Sequence, residues 1–264
     1  MINFIVPVKS KKVASDWPRF CALFERTLSS ICNQTNDNYM VTVVCHEIPE
    51  VKFKSDKVHF VQVEFDAPKL TSGDVEKNRA LREGDKANKI KKGLEYSTQF
   101  DPKYIMVVDS DDCISNKIAA FIHTEDGSVP GWYVDKGYNY KEGSKYILLK
   151  KRTFNHLCGS CIIIKPELFE QLFATEPFLH YSHEKTVLSN NSKLVPLPFA
   201  GAIYSMANGE NIFMSSGHAK GVIKRYVFNV GKYFQLLEKV YKYRVRIINK
   251  KFERSFGFYK IQSI

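Results

Sequence analysis

The sequence lacks any apolar run that approaches the roughly 20 residues of a membrane-spanning helix. It also lacks internal repeats, low-complexity linkers and, at its start, a basic segment followed by a longer apolar run. These absences argue against a spanning helix and against a secretory signal peptide. We therefore expect a chain that folds from its first residues and stays in the cytoplasm.

Paired cysteines are scarce as well. Of the six cysteines, Cys158 and Cys161 form one CxxC pair, and no second pair is present to complete a four-ligand zinc site. Most of the six lie inside apolar runs, where cysteine behaves as a small hydrophobic residue. We interpret them as structural, with a redox pair at Cys158 and Cys161 as the alternative.

The composition, by contrast, is sufficient for a large core. The 264 residues are 44% hydrophobic and 13% aromatic, which fits one α/β domain with a small extension. The net charge of +11 is uneven, because residues 219–264 hold twelve Lys or Arg against two Glu. The sequence thus predicts a nearly neutral domain over residues 1–218 and a basic tail over residues 219–264 that meets an anionic surface.

The first 112 residues alternate between strand and helix patterns. Strand patterns cover residues 2–8, 39–45, 58–65 and 103–108, and helix patterns cover 18–32 and 74–96. Such alternation predicts an α/β fold with a mostly parallel central sheet flanked by helices. Ligands of these sheets bind beyond the carboxyl ends of the strands, so we expect the chemistry there.

The remaining residues are less regular. We predict strands at 131–134 and 145–149 around a turn near residues 141–143, and a strand at 161–165 before a helix. Two short strands at 193–197 and 200–206 end the domain. From Val222 to Ile248, apolar residues recur at spacings of three and four, which predicts an amphipathic helix.

The most informative segment is the acidic cluster that follows residues 103–108. Asp109, Ser110, Asp111 and Asp112 come directly after this apolar strand, and in an extended chain Asp109 and Asp111 point the same way. Such a carboxylate pair can bind Mg²⁺ or Mn²⁺ and leave positions for phosphate oxygens. The alternative is a polar turn that caps a helix starting near Ser115.

Four segments, in this order, resemble the GT-A glycosyltransferases, especially the family-2-like bacterial enzymes, over roughly residues 1–218. Phe4 to Val8 resembles the opening strand that leads into the nucleotide pocket, and Tyr104 to Asp112 resembles the strand that ends in the DxD motif. Ser182 to Thr186 lies where these enzymes carry the acidic motif with the catalytic base. Tyr204 to Asn211 resembles their late strand and its following loop.

The resemblance implies a GT-A type, Rossmann-like fold and a metal-dependent, inverting transfer of sugar from a nucleotide sugar, with a UDP-sugar favoured. Residues 1–112 would bind the donor and residues 113–218 the acceptor, a saccharide or a lipid-linked molecule of surface polysaccharide or glycolipid synthesis. The implied donor-binding residues are Pro7, Glu47, Asp85, Lys86, Ser110 and Lys220. The implied ligands of Mn²⁺ or Mg²⁺ are Asp109, Asp111 and His218.

The resemblance also implies a base and an acceptor side. Glu184 would be the base that removes the acceptor proton, although this chain has His183-Glu184 where the family usually has Glu-Asp. Trp132 and Tyr133 would lie on the acceptor side, with core aromatic residues as the alternative. For Glu184 the alternative is an acid at a helix N-terminus, and for Glu47 and Lys86 it is an ordinary solvated charge.

Two other functions are weighed against this one. A sugar-phosphate nucleotidyltransferase normally has a glycine-rich basic loop, whereas residues 7–12 are basic but contain no glycine. A nucleic-acid-binding protein would fit the charge, but no zinc-finger, RNA-recognition or helix-turn-helix pattern is present. We expect residues 222–264 to bind an anionic membrane, which would hold the protein at the inner face of the cell membrane. The rival is a helical cap or dimerisation element.

Overall fold

The computed structural model describes residues 1–209 and 243–261. The strands are β1 (Ile2–Pro7), β2 (Tyr39–Cys45), β3 (Val58–Gln62), β4 (Tyr104–Val107), β5 (Cys113–Ile114), β6 (Gly131–Tyr133), β7 (Gly137–Lys141), β8 (Tyr146–Lys150), β9 (Ile162–Ile164), β10 (Phe173–Ala174), β11 (His180–Tyr181), β12 (Val195–Pro196), β13 (Ala202–Met206) and β14 (Tyr243–Ile247). The helices are α1 (Trp17–Ile31), α2 (Val75–Ser97), α3 (Ile118–Thr124) and α4 (Lys250–Phe256), and short 3-10 helices occur at Lys11–Val13, Thr98–Phe100, Phe154–His156 and Pro166–Leu172.

The two long helices begin at capped positions. The Asp16 carboxylate accepts a hydrogen bond from the Arg19 N–H at the start of α1, and the Asp74 carboxylate accepts one from the Lys77 N–H at the start of α2. Each bond satisfies a backbone donor that the first helical turn leaves free. Both helices therefore start close to where the sequence pattern predicts them.

The central sheet has seven strands in the order β12-β6-β9-β4-β1-β2-β3. Strands β4, β1, β2 and β3 are parallel neighbours, β12 is parallel to β6, and β9 runs antiparallel between β4 and β6. The prediction of an α/β fold with a mostly parallel central sheet is confirmed. The carboxyl ends of β1 and β4 meet at one edge, which is where the candidate site lies.

Helix α2 packs closely on the central strands because Gly93 faces them. A Cβ atom at Gly93 would lie 2.6 Å from Ile5 Cγ2, closer than real side chains approach. Every residue of β1 and of β4 is buried. The close packing fixes the position of α2 along the sheet, and with it the polar side chains that α2 carries toward the strand ends.

A second sheet contains five strands in the order β14-β8-β7-β13-β5. Its hairpin joins β7 to β8, so the predicted pairing of residues 131–134 with residues 145–149 is wrong. Residues 131–133 form β6, which belongs to the central sheet instead. The sequence analysis overlooked β7 (Gly137–Lys141), whose aromatic residues are typical of a strand.

The C-terminal residues that the structure describes differ from the predicted amphipathic helix. Tyr243–Ile247 forms the edge strand β14, paired antiparallel with β8. The physical reason is the strict alternation of apolar and basic residues, which has the period of a strand. The part of the predicted helix from Val222 to residue 242 lies outside the described residues, as does the division at residue 218.

Helix α4 and the residues after it pack on the second sheet. Phe256 and Phe258 are buried in a small core with Tyr140 and Ile147. Asn33 on the α1 side donates a hydrogen bond to the Arg254 carbonyl. For α4 and the residues after it, the alternative prediction of a helical cap packed on the domain is therefore the better description. Among the described residues, no helix is long and apolar enough to cross a membrane.

Candidate active site

A cavity of about 1270 Å³ opens at the carboxyl ends of β1 and β4. Its walls come from the loops after these two strands, from one face of α2 and from the segment around β11. The sequence-predicted residues that line it are Pro7, Asp85, Lys86, Asp109, Ser110, Asp111 and Glu184. The fold thus brings carboxylates and cations from distant parts of the chain together in one cavity.

Asp109 forms an ion pair with Lys86 of α2. Lys86 Nζ lies 2.5 Å from Asp109 Oδ1. Burial by itself lowers the pKa of the Lys86 ammonium, but the carboxylates of Asp109 and Glu83 outweigh burial and raise that pKa above its usual value. Lys86 is therefore a permanent cation beside the first aspartate of the DxD motif.

The backbone at Gly159 lies directly against this ion pair. A Cβ atom there would overlap the Asp109 carboxylate and would lie 3.0 Å from Lys86 Nζ. The next residue, Ser160, accepts a hydrogen bond from the Asp109 N–H through its hydroxyl oxygen, at 2.8 Å. The loop before β9 therefore contacts Asp109 from one side, and a side chain at residue 159 would require the Asp109 carboxylate to shift.

Asp111 is held on the other side of the motif. The side-chain amide of Asn208 donates to Asp111 Oδ2 at 2.7 Å. Burial and, after it, the nearby Asp109 carboxylate raise the pKa of Asp111. The Lys9 charge, the Asn208 hydrogen bond and the Lys86 charge act in the opposite direction on the pKa of Asp111. The two neighbouring carboxylates are thus placed where a further cation would reduce their repulsion.

Asp112 has a structural role. Its carboxylate is buried and accepts hydrogen bonds from the Ser160 hydroxyl at 2.7 Å, from the Ser205 N–H at 3.1 Å and from the Cys158 thiol at 3.2 Å. Cys161 is buried as well, and its thiol donates to the His183 carbonyl at 3.3 Å. Both thiols are free, and burial is the largest cause that raises their pKa. This favours the structural interpretation of the CxxC pair.

Asp85 is paired within α2. Lys89 Nζ lies 2.7 Å from Asp85 Oδ2, and His46 Nε2 lies 3.7 Å from Asp85 Oδ1. Burial lowers the pKa of Lys89 even though Asp85 acts in the opposite direction. Asp85 Oδ1 is buried without a hydrogen-bond partner, and it faces His46.

Glu47 is not among the residues that line the cavity, and its predicted contact with the donor stays a prediction. Its carboxylate accepts hydrogen bonds from the Ser10 hydroxyl at 2.9 Å and from the Lys11 N–H at 3.1 Å. These bonds join the loop after β2 to the loop after β1. Glu47 therefore positions the loop that carries Lys9, which does line the cavity.

Glu184 lies on the cavity wall beside two histidines. Its Oε2 is 3.1 Å from His156 Nδ1, and both side chains are more than half exposed. His183 Nδ1 is 2.7 Å from the Asn155 carbonyl, and burial followed by the Lys86 charge lowers the pKa of His183. Glu184 thus has one partner and open access to the cavity, and its role as base stays a prediction.

The acceptor-side prediction is wrong for Trp132 on the geometry of its ring. Trp132 is 3% exposed and packs edge-on against Tyr104 and Phe121, at ring-centre distances of 4.9 and 5.3 Å. Its faces are covered by the core, so no sugar can stack on them. Tyr133 is half-buried on β6 and is not among the residues that line the cavity.

Several other residues complete the account of the predictions. His218 and Lys220 lie outside the described residues. Among residues 1–209 and 243–261, no group of three or more His, Cys, Asp or Glu side chains is arranged to hold a metal ion.

Three residues that contact the acidic cluster, Gly159, Ser160 and Asn208, were not predicted from the sequence. Asn208 lies in the late segment that carried the family resemblance, whereas Gly159 and Ser160 were considered only as the interior of the CxxC pair.

Comparisons with known proteins give a fold likeness only. No protein-family model matches the sequence, and no curated protein matches it. Similar solved structures include S. aureus TarS 1-349 (14% identity, TM-score 0.40), S. aureus TarS (13%, 0.42) and TarS 1-349 in complex with UDP-GlcNAc (12%, 0.41). The matches cover 78%, 78% and 81% of this chain and 60%, 37% and 61% of those chains. The chain therefore spans less than two thirds of their length, and a likeness this low assigns no activity. The family-2 resemblance stays a prediction.

Proposed function

We propose that the protein is a glycosyltransferase of the GT-A type that binds a nucleotide sugar through a divalent cation. The observation that carries the proposal is the pair Asp109 and Asp111 at the carboxyl end of β4, inside a cavity of about 1270 Å³. A nucleotide sugar carries a diphosphate that needs positive charge and a sugar that needs room. Lys9, Arg79, Arg82, Lys86 and Lys89 supply that charge along the cavity wall.

Asp109 and Asp111 fit a hard cation. Mg²⁺ and Mn²⁺ are typically bound by one or two carboxylates, and substrate phosphates and waters complete the coordination. The raised pKa of Asp111, caused by burial and by Asp109, shows that the two carboxylates repel each other without such a cation. When bound, the metal would neutralise the leaving diphosphate. His218 stays a proposed third ligand.

Glu184 is the proposed base in an inverting transfer. Its carboxylate is on the cavity wall, and a base must reach the acceptor hydroxyl at hydrogen-bond distance. His156, at 3.1 Å, would orient the Glu184 carboxylate. Glu176 lines the same cavity and is the alternative base if Glu184 fails its test.

The nucleotide would lie at the carboxyl ends of β1 and β4, and uridine diphosphate is the first to test. Pro7 and Ser110 line the cavity at the ends of neighbouring strands, with Lys86 facing them from α2. We propose a saccharide or lipid-linked acceptor for the opposite end of the cavity.

The test is direct binding of nucleotides. Isothermal titration of the full chain with UDP, GDP, CDP and ADP, each with and without Mn²⁺, should give one nucleotide whose affinity rises when Mn²⁺ is present. Thermal shift is the supporting measurement, because a ligand that binds only the native state raises the melting temperature. If no nucleoside diphosphate binds under either condition, the proposal is wrong.

We also propose that the described part of the basic C-terminal region meets an anionic membrane through the edge formed by β8 and β14. Tyr146, Val245 and Ile247 are each more than half exposed there. Ile247 pairs with Tyr146 across the two strands, so their side chains share one face. Lys145, Lys250 and Lys251 are exposed close to them along the chain, and Arg244 and Arg246 are exposed on the opposite face of β14. Apolar side chains within a basic surface complement an anionic lipid headgroup layer.

Vesicle co-sedimentation tests this surface. Each basic residue near an anionic leaflet contributes about 1 kcal/mol, so Arg244→Gln with Arg246→Gln should weaken binding to phosphatidylglycerol vesicles by about tenfold or more. Raising the salt concentration should weaken it further. The control Lys91→Gln with Lys92→Gln removes two exposed charges from α2. Equal loss in both pairs would show a diffuse charge effect and contradict the proposed surface.

A further inference from the structure

The ion pair between Lys86 and Asp109 is open to the cavity. The Lys86 side chain is 16% exposed and the Asp109 side chain is 23% exposed, and both line the cavity. Lys86 Nζ is 2.5 Å from Asp109 Oδ1, so the ammonium group occupies one side of the carboxylate that a metal ion would use. The pair is therefore placed where an incoming cation must compete with it.

The geometry around the pair restricts how it can change. The Gly159 backbone lies against the pair, because a Cβ atom at residue 159 would overlap the Asp109 carboxylate and would lie 3.0 Å from Lys86 Nζ. The Ser160 hydroxyl oxygen accepts a hydrogen bond from the Asp109 N–H. Asp111 is held separately by Asn208. The carboxylates are thus fixed in place, and the long Lys86 side chain is the part that can move toward the cavity.

The charges explain why it would move. Asp109, Asp111 and Lys86 together carry a formal charge of about −1 when all three are ionised, and Lys9 adds positive charge that acts on Asp111. One divalent cation would make this group of charges positive. A dication on Asp109 repels the adjacent ammonium group, and a diphosphate offers that group new oxygen acceptors. The metal alone would leave the Lys86 ammonium beside a dication. When the diphosphate binds as well, the metal is paired with Asp109 and the Lys86 ammonium with the diphosphate.

We propose that Lys86 and the divalent cation exchange at Asp109. In the free protein Lys86 neutralises Asp109, and in the complex Lys86 leaves the carboxylate to the metal and binds the diphosphate. This inference rests on the proposed metal-dependent nucleotide site. It means that Lys86 opposes the binding of metal alone and favours the binding of metal with nucleotide, so the two ligands bind cooperatively.

The experiment uses two probes on the full-length chain. Mn²⁺ alone is titrated and followed by the electron paramagnetic resonance signal of free Mn²⁺, and UDP is titrated calorimetrically in saturating Mn²⁺. In Lys86→Gln, the affinity for Mn²⁺ alone should rise by about tenfold, and the affinity for UDP in Mn²⁺ should fall by about tenfold. A lysine with only a structural role would not change the affinities for Mn²⁺ alone and for UDP in opposite directions.

Two further variants provide the controls. Lys86→Arg keeps a cation beside Asp109 and should keep the weak binding of Mn²⁺ alone. Lys92→Gln removes the same charge from α2 outside the cavity, where Lys92 pairs with Glu95, and should change the affinity for Mn²⁺ alone by less than about twofold. A melting curve of each variant establishes that it is folded.

The outcomes separate this inference from the proposed function. If Lys86→Gln binds Mn²⁺ alone no more tightly than the wild type, the exchange is wrong, whether or not UDP binds. If the wild type binds neither UDP nor inorganic pyrophosphate with Mn²⁺, the proposed function is wrong, and the Mn²⁺ titrations still decide whether Lys86 competes at Asp109. Weaker binding of both probes to Lys86→Gln would make Lys86 a ligand-binding residue only and would also overturn the exchange.

Discussion

Two ion pairs of this protein have similar chemistry and opposite surroundings. The Arg26 guanidinium donates to both oxygens of Glu142, at 3.1 and 3.0 Å, and also to the Ser205 hydroxyl. Arg26 is fully buried and Glu142 nearly so. The Lys86–Asp109 pair, in contrast, makes a single contact and borders a cavity.

The difference indicates what each pair is for. The Arg26–Glu142 pair joins α1 to the turn after β7, and Arg26 also donates to the Tyr259 carbonyl at 3.4 Å, so it ties the two sheets and the C-terminal residues together. The Nη1 and Nη2 donors of Arg26 are used within the protein, whereas its Nε is buried without a hydrogen-bond partner. The Lys86–Asp109 pair has a second carboxylate beside it whose pKa is raised by burial and by Asp109. A closed pair stabilises the fold, and an open pair with unbalanced charge is available to a ligand.

The largest expected effect is on nucleotide binding, from a change beside the Lys86–Asp109 pair. Asp111→Asn removes the second carboxylate while its remaining oxygen can still accept the hydrogen bond from Asn208. We expect metal-dependent nucleotide binding and turnover to be lost. Because the variant removes repulsion from Asp109, the free energy of unfolding should be unchanged or slightly higher.

Asp109→Asn and Asp109→Ala should lose the same binding. Asparagine keeps an oxygen for Lys86, whereas alanine leaves that ammonium group without its partner, so the alanine variant should be the less stable of the two. Isothermal titration with Mn²⁺ and nucleotide measures the binding. Unchanged Mn²⁺-linked affinity in the Asp109 and Asp111 variants would show that the carboxylates do not hold the metal.

A third pair, between Glu184 and His156, extends the comparison to an exposed position. An exposed ion pair contributes about 0–1 kcal/mol to stability, so Glu184→Gln should leave unfolding nearly unchanged. If Glu184 is the base, the same variant should keep donor affinity and lose about 10²–10⁴-fold in transfer rate. Single-turnover transfer to an identified acceptor measures this, and near-normal transfer would move the role to Glu176.

A change in the buried Arg26–Glu142 pair should lower stability and leave nucleotide binding intact. Glu142→Ala leaves the buried Arg26 guanidinium without its carboxylate, and removing one partner of a buried pair costs about 3–5 kcal/mol. Urea unfolding should show this loss, whereas nucleotide affinity measured on the folded protein should be retained. Glu95→Ala is the control, because Glu95 pairs with Lys92 on the exposed face of α2 and should cost less than about 1 kcal/mol. Equal losses in the two variants would contradict the structural role of the closed pair.

The same contrast explains how much of the molecule could be predicted from the sequence. Asp109 and Asp111 follow a short apolar strand, so their position at a sheet edge follows from local pattern alone. Ser160 and Asn208, which contact the motif, lie 51 and 97 residues further along the chain from their partners, and no local pattern brings them there. Gly159 is needed only because α2 and β4 place Lys86 and Asp109 against it. Local periodicity predicts elements, and the contacts between distant elements decide the site.

The wrong predictions have the same origin. Trp132 was assigned to the acceptor side, but β6 lies inside the central sheet and buries its ring against Tyr104. The C-terminal helix pattern extended over Tyr243–Ile247, where pairing with β8 favours a strand. In both cases a neighbour supplied by another part of the chain determines the outcome.

The smallest expected effect compares a satisfied and an unsatisfied hydroxyl in the same core. Tyr104 and Tyr181 are both buried, but the Tyr104 hydroxyl donates to the Val129 carbonyl at 2.9 Å, whereas the Tyr181 hydroxyl has no hydrogen-bond partner. Tyr104→Phe should therefore lower the free energy of unfolding by about 1 kcal/mol. Tyr181→Phe should leave it unchanged or raise it, because an unpaired buried hydroxyl is itself destabilising. Urea unfolding of the two variants beside the wild type measures the difference, and an equal loss in both would show that the Tyr181 hydroxyl is satisfied by a buried water.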